Sequence, residues 1–408
     1  MSETLPRLRM DLDFMSSPVP EHPGLMVRDP YHYSDATIVV PPELIPALEM
    51  FDGQSTELDL RQRLVEITGQ FDVSELQQHL TKALSDGGFL QNEVYERMRE
   101  ARHREFAGAE VREAAHAGLA YPGDEEDLRA LFDRFLEGGE PAANPGRLAG
   151  IAAPHVSPEG GWESYRDAYR ALSAEHAERV FVILGTSHYG APNRFGLTRK
   201  DFVTPYGRTR TETALVDLLA SQAPEAVTME DYCHASEHSI EFQVAFLQHL
   251  YGPRVRVLPI LVGSFYPSIA GGGMPEDDEA VRRFLGALGD LNAARGGELM
   301  WVLGVDMAHI GRRYGDALPA QAYDGTMLPV SARDKERVAR IAAGDSEGFW
   351  AEVGEGGGGE DQLKWCGSSP FYTFLKAVPE ARGEMRRYQH WQIDPQSVVS
   401  FAALTFER

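Results

Sequence analysis

From Arg147 onward the chain is punctuated by nearly continuous apolar runs: LAGIAAP, RVFVILG, VRVLPILVG, LMWVLGV and the terminal SVVSFAALTF. A strand with one wet face alternates apolar and polar residues, whereas an unbroken run is expected where helices cover both faces. Between the runs lie SYRDAYRALSAEHA, TETALVDLLASQ and EHSIEFQVAFLQHL, which carry helical periodicity. In the last of these, Ile240, Val244 and Leu247 fall at i, i+4 and i+7 as a packing stripe. His238 and Glu241, three apart, then share a different face. Strand and helix in alternation predict an α/β domain over 147–408, a layered sheet with flanking helices.

A chain of 408 residues is long enough for a second, smaller domain. Residues 1–95 read as a small α+β unit. ATIVV is a short strand, a helix ends near Phe51, and Asp52-Gly53 marks a turn. The next helix has Leu58, Leu60, Leu64 and Ile67 as its apolar set. A third starts at a Ser74 cap and stops at Gly87-Gly88, with Phe89-Leu90 as a short final strand. Residues 96–146 are charged and helical, end in PAANPG, and read as a solvated connector. The glycine runs Gly271–Gly273 and Gly356–Gly359 are expected to be surface loops, since neither fits a phosphate-binding fingerprint.

Charge narrows the partners. Thirty-nine basic residues against 62 acidic ones leave a formal net charge of −23, which argues against unaided binding to nucleic acid or an anionic membrane. No apolar run is long enough for a membrane helix. With only Cys233 and Cys366, a disulfide scaffold is not expected, and a reducing cytoplasm is.

Polar chemistry collects where the apolar runs stop. LAGIAAP is followed by His155, VFVILG by Ser187-His188, and LMWVLGV by Asp306 with His309 three residues on. Ligands in open α/β sheets bind beyond the carboxyl ends of the strands. In WCGSSPFYTFL, Ser369 fits an N-cap and Pro370 the first helical position, which puts Cys366 just before a helix. Imidazoles and a thiolate form a ligand set suited to iron, copper or zinc. Two His and one Cys would leave positions open for water, substrate or dioxygen. Asp306, His309, His238 and Glu241 would then serve as supporting or acid–base groups. Two structural readings stand beside this one: hydrogen-bonded loop histidines, and a cysteine that is only a small hydrophobe.

The motifs APH (Ala153–His155), LGTSH (Leu184–His188), TPYG (Thr204–Gly207), EHSIEFQ (Glu237–Gln243), PILVG (Pro259–Gly263), DMAH (Asp306–His309) and CG (Cys366–Gly367) together resemble the Memo family. That family includes protein B of the bacterial AmmeMemoRadiSam gene sets. The resemblance covers 147–408 and implies a fold like that of the class III extradiol dioxygenases. It implies His155, His188 and Cys366 as metal ligands, with Asp306 and His309 nearby and His238 a neighbour. The expected metal is iron or copper, with zinc a further candidate. The expected activity is that of a metal-dependent oxidoreductase or oxygenase on an aromatic or peptide-borne substrate, free or carried by a peptide. The alternative is a non-catalytic peptide- or protein-binding scaffold. A cysteine where the dioxygenases use a glutamate argues against simple catechol cleavage. Many members continue PHAGY after the first histidine; here the chain reads PHVSPEGGW, so that tyrosine and any substrate role it has are lost. The stretch FDGQSTELDLRQRL resembles a PqqD-like, winged-helix domain, which implies binding of a peptide or partner protein.

Overall fold

The apolar runs become strands buried along their whole length. A computed structural model describes residues 4–17, 19, 21–355 and 359–408. Residues 356–358 of the second glycine run lie outside the described set, and Gly271–Gly273 closes a short surface helix, Tyr266–Gly271. The chain divides into two units, Met1–Gly108 and Ala109–Arg408.

The larger unit is built on a ten-stranded sheet. Its centre holds four parallel strands: β1 (Leu148–Ala153), β2 (Val180–Thr186), β3 (Arg256–Val262) and β4 (Leu299–Gly304), in the spatial order β3-β2-β4-β1. The terminal strand β5 (Ser397–Glu407) adds antiparallel to β1 and forms a hairpin with Arg382–Asp394. Neighbouring residues on the central strands feed opposite cores, as the period of two requires. Phe181, Ile183, Met300 and Val302 pack into one cluster, and Val182, Leu184, Trp301 and Leu303 into the other. Helix α1 (Pro158–Tyr169) and helix α2 (His238–Tyr251) cover the first face, and helix α3 (Ser368–Ala377) covers the second. This is the layered α/β arrangement expected from the alternation.

Parallel pairing puts the ends of β2, β4 and β1 side by side at one sheet edge. The three loops that carry His188, Asp306 and His155 therefore leave the sheet as neighbours. Helix α2 crosses close above them because Gly304 has no side chain: a β-carbon there would lie 2.1 Å from the Ser239 carbonyl oxygen.

Two expectations need correction here, and one strand was not foreseen. The segment 96–146 is not one connector. Glu93–Gly108 is a helix of the first unit, whereas Val111–Arg112 pairs with Asp201–Thr204 and Glu125–Phe135 packs into the second unit's core. Phe132 stacks on Phe246 with ring centroids 4.0 Å apart, so an apolar stripe hidden among charges holds this segment down. Helix α3 starts at Ser368 with Gly367 at its cap, so Ser369 is no N-cap; its hydroxyl accepts the Phe265 amide instead, at 2.9 Å. The hairpin strand Arg382–Asp394, RGEMRRYQHWQID, is too polar to read as a strand from its sequence, yet pairs along β5.

The first unit has an antiparallel sheet of Asp13–Ser16, Leu25–Arg28 and Thr37–Val40, followed by helices Glu57–Thr68, Ser74–Asp86 and Glu93–Gly108. Leu60 and Leu64 are core residues, but Leu58 is exposed. Ser74 is the first helical residue rather than the cap, which falls at Val73. Phe89-Leu90 makes an isolated bridge to Leu8 instead of a strand. Arg9, fully buried, ties the unit together through both carboxylate oxygens of Asp29 at 3.0 and 3.1 Å.

Gly304→Ala is expected to force α2 away from β4 and cost about 1–3 kcal/mol, the usual range for overpacking. Urea unfolding checks this, and an unshifted midpoint would count against the close approach.

Candidate metal centre

His155 is fixed from both ends. Its amide donates to Asp306 Oδ1 at 2.9 Å, and its Nδ1 lies 2.9 Å from the Gly304 carbonyl. A carbonyl only accepts, so Nδ1 carries a proton and Nε2 is the nitrogen turned to the thiol. That nitrogen lies 3.3 Å from Cys366 Sγ and 3.4 Å from Asp306 Oδ2.

His188 is oriented by a buried carboxylate that sequence reasoning missed. Glu237 accepts the His188 amide at 3.0 Å and receives His188 Nδ1 at 3.0–3.1 Å. The same carboxylate caps α2 through the amides of His238 and Ser239, at 2.9 and 3.1 Å. Burial works against its charge, but His188, His238 and these donors hold it well below the usual carboxylate range. A carboxylate on Nδ1 turns Nε2 of His188 inward, the arrangement found behind metal-binding histidines.

Cys366 supplies the third donor. Ligand atoms of His155, His188 and Cys366 all lie within 4.8 Å of one another. Burial alone would raise the Cys366 thiol, yet the imidazoles of His155 and His188 bring it down to about 7. Two inward-facing imidazole nitrogens and a readily ionised thiol fit a borderline-soft cation such as iron, copper or zinc.

Beside His155 and His188 is a cavity of about 310 Å³. Its polar side is lined by His116, His155, His188, His238, Asp306 and His309, and its apolar side by Phe242, Tyr314, Trp391, Ile393 and Val399. Among the described residues, no lysine or arginine lines it. The His188 and His238 rings stack with centroids 5.0 Å apart, and His155 stands edge-on to both. Desolvation and the surrounding imidazoles outweigh Glu237 and hold His238 well below the ordinary histidine value. Desolvation likewise lowers His309 against the pull of Asp306, and burial lifts the Asp306 carboxyl to about 6. Both rings are therefore neutral near pH 7 and able to take a proton. His309 Nδ1 is held by the carbonyls of Met307 and Lys364 at 2.9 and 3.1 Å, which aims its Nε2 elsewhere.

Glu241 does not join them. Its carboxylate is consumed by Arg112, by the Tyr121 hydroxyl at 2.5 Å and by the amides of Ala115 and His116 at 3.0 and 2.9 Å. Both members of the Arg112–Glu241 pair are fully buried. The pair fastens residues 112–121 to α2 and so brings His116 to the cavity. Helical spacing separated Glu241 from the packing stripe, but nothing local announced a cation so far away in the chain. The place of Glu237 immediately before His238, the first helical residue, was the available signal for the missed carboxylate. Cys233 lies outside the triad, and burial raises its thiol above the ordinary range.

Two measurements test this geometry. In metal-free protein carrying Cys233→Ser, the rate of Cys366 alkylation is expected to rise with pH through a midpoint near 7. An ordinary thiol near about 8.5 would contradict it. Removing one charge by Glu241→Gln is expected to cost about 3–5 kcal/mol of stability, because Arg112 is left buried without a counter-ion. Denaturant unfolding reads the loss.

Comparison with known proteins places the chain. The sequence profile of Memo-like proteins matches residues 112–405. A MEMO1 family protein of Aquifex aeolicus is 26% identical over 317 residues, covering 78% of each chain. One from Thermococcus kodakarensis is 27% identical over 312 residues, covering 73% of this chain and 100% of its own. A solved structure of an uncharacterized Escherichia coli K12 protein aligns with 63% of this chain and 98% of that one, at 13% identity and a TM-score of 0.40. The profile spans from the strand that carries Arg112 to near the end of β5, and the chain belongs to the Memo family.

Proposed function

We propose that this protein is a metal-dependent oxidoreductase or oxygenase that acts on an aromatic or peptide-borne substrate. The observation that carries the reading is the convergence of His155, His188 and Cys366 donor atoms within 4.8 Å, with both histidines lining a cavity. His155 and His188 would hold the ion through Nε2, and Cys366 through its thiolate. Iron or copper bound there would supply redox chemistry, and zinc in the same place would supply an activated water.

The remaining steps belong to the chain. Glu237 and the Gly304 carbonyl keep both imidazoles in the ligating tautomer. His309, neutral and anchored at Nδ1, is the group to accept a substrate proton at Nε2. His238 stands across the cavity as a second proton carrier. Asp306 receives the amides of His155 and Val156, so it shapes the first ligand's loop. Phe242, Tyr314 and Trp391 offer ring faces to a planar substrate and shield it from water. A lining without lysine or arginine among the described residues favours a substrate group without a free phosphate or carboxylate.

The first unit supports a peptide or partner protein. A groove of about 560 Å³ is lined there by Leu8, Met10, Phe14, Leu25, Ile45 and Leu48, with Met10 strongly exposed. Such a surface suits an apolar segment in the manner implied by the PqqD-like resemblance.

Protein purified without oxygen is expected to carry one transition metal, and His155→Ala, His188→Ala and Cys366→Ala are each expected to lose it. Metal content unchanged in all three rejects the assignment. Metal-loaded protein is then expected to consume oxygen with a member of a panel of phenols, indoles and aromatic peptides. Binding without uptake would favour the scaffold reading.

A further inference from the structure

The loop that presents Cys366 is wound around a carboxylate. Asp361 accepts the amides of Leu363 and Trp365 at 2.9 and 3.0 Å and takes the Arg337 guanidinium at 2.8 and 2.9 Å. Within the turn Lys364 adopts a left-handed φ of 53°, which a side chain seldom accepts without support. The result sends Cys366 toward His155 and the Lys364 carbonyl toward His309, while the Trp365 ring points away.

That ring ends on a second carboxylate. Trp365 Nε1 donates to Asp334 Oδ1 at 2.7 Å, from the buried flank of helix Met327–Ala343. The other oxygen of Asp334 receives the hydroxyls of Ser400 and Tyr388 at 2.6 and 2.7 Å. Ser400 continues the connection. Its Oγ accepts the Ala308 amide at 2.9 Å, and its carbonyl accepts the Met307 amide at 2.8 Å. Met307 and Ala308 are the two residues between Asp306 and His309. Asp334 is fully buried and does not line the cavity.

We infer that Asp334 is a positioning residue: its two oxygens clamp the sulfur-bearing loop to the Asp306–His309 loop and so fix where Cys366 stands relative to the two histidines. An isolated buried carboxylate is costly, so three neutral donors converging on one imply that the clamp is a requirement of the site. The metal part of this inference rests on the proposed function; the placement of the thiol does not.

The test uses the full chain with Cys233→Ser and three variants: Asp334→Asn, Trp365→Phe and Ser400→Ala. The last two each remove one donor and keep the core filled, so they carry the test if Asp334→Asn does not fold. Two readouts are taken. Alkylation of Cys366 in metal-free protein is expected to be several-fold faster in each variant, because the loop is released. Affinity for Co²⁺, with its thiolate charge-transfer band, is expected to fall by about 10–100-fold, the usual loss when the groups behind metal ligands are removed. Folded variants that alkylate and bind Co²⁺ like the parent overturn the inference. A parent that binds no Co²⁺ while its variants alkylate faster would sink the metal reading and leave the clamp standing.

Discussion

The site depends on one buried carboxylate. Glu237 sits at the junction between the end of β2 and the start of α2, where water cannot reach its charge. Left unpaired, a carboxylate there would be strongly destabilising. It is instead surrounded by the amides of His188, His238 and Ser239 and by His188 Nδ1, and the amides of α2's first turn add the positive end of the helix dipole. The consequence is geometric. The helix cannot slide along the sheet without stripping a donor from Glu237, so the register of α2 and the tautomer of His188 are set by the same group.

Close packing does the rest. Gly185 and Gly304 on adjacent strands let α2 lie against the sheet, since a β-carbon at Gly185 would meet the Ser239 hydroxyl and Ile240 at 2.6 Å. A helix held that near places His238 within 5.1 Å, ring centre to ring centre, of both His155 and His188. Crowded imidazoles cannot all be charged together. His238 and His309 are the ones driven neutral, while the thiol beside His155 and His188 is the group that ionises early. The site thus divides its proton affinities between a side suited to a cation and a side suited to moving protons.

The larger fold could be read from the sequence because its central strands are buried on both faces and therefore written as apolar runs. His155, His188, Asp306 and His309 followed from that reading, since strand ends in a parallel sheet share an edge. Cys366 came from its place before α3, although the cap itself lies two residues earlier than Ser369 implied. What escaped had its cause at long range. Glu241 looked like an acid–base candidate because helix periodicity shows a face but not its occupant, here Arg112 from 129 positions away. Glu237 escaped because glutamate is an uncommon cap. The strand Arg382–Asp394 escaped because only His390 of its residues is buried and its pairing belongs to β5. In the first unit Leu58 was placed inside by its type, whereas the helix turns it outward.

The stretch after the first histidine bears on the cavity's aromatic side. Where the family motif has a tyrosine, this chain has Pro158, which opens α1 and leaves no ring. Two residues on, a β-carbon at Gly160 would fall 2.4 Å from the Trp391 indole, so any larger residue there would push that ring aside. With glycine in place, Trp391 packs beside Val156, Val399 and Phe401 and reaches the cavity from the polar hairpin strand. Tyr314 closes the same side, edge-on to His309 at 4.9 Å. The imidazoles and the thiol depend on strand ends and buried carboxylates, and the ring surface depends on a glycine that makes room for it. The shape of the cavity's apolar side is therefore set in the α1 turn and the hairpin, where side chains can be exchanged without disturbing Glu237 or the loops that carry His155, His188 and Cys366.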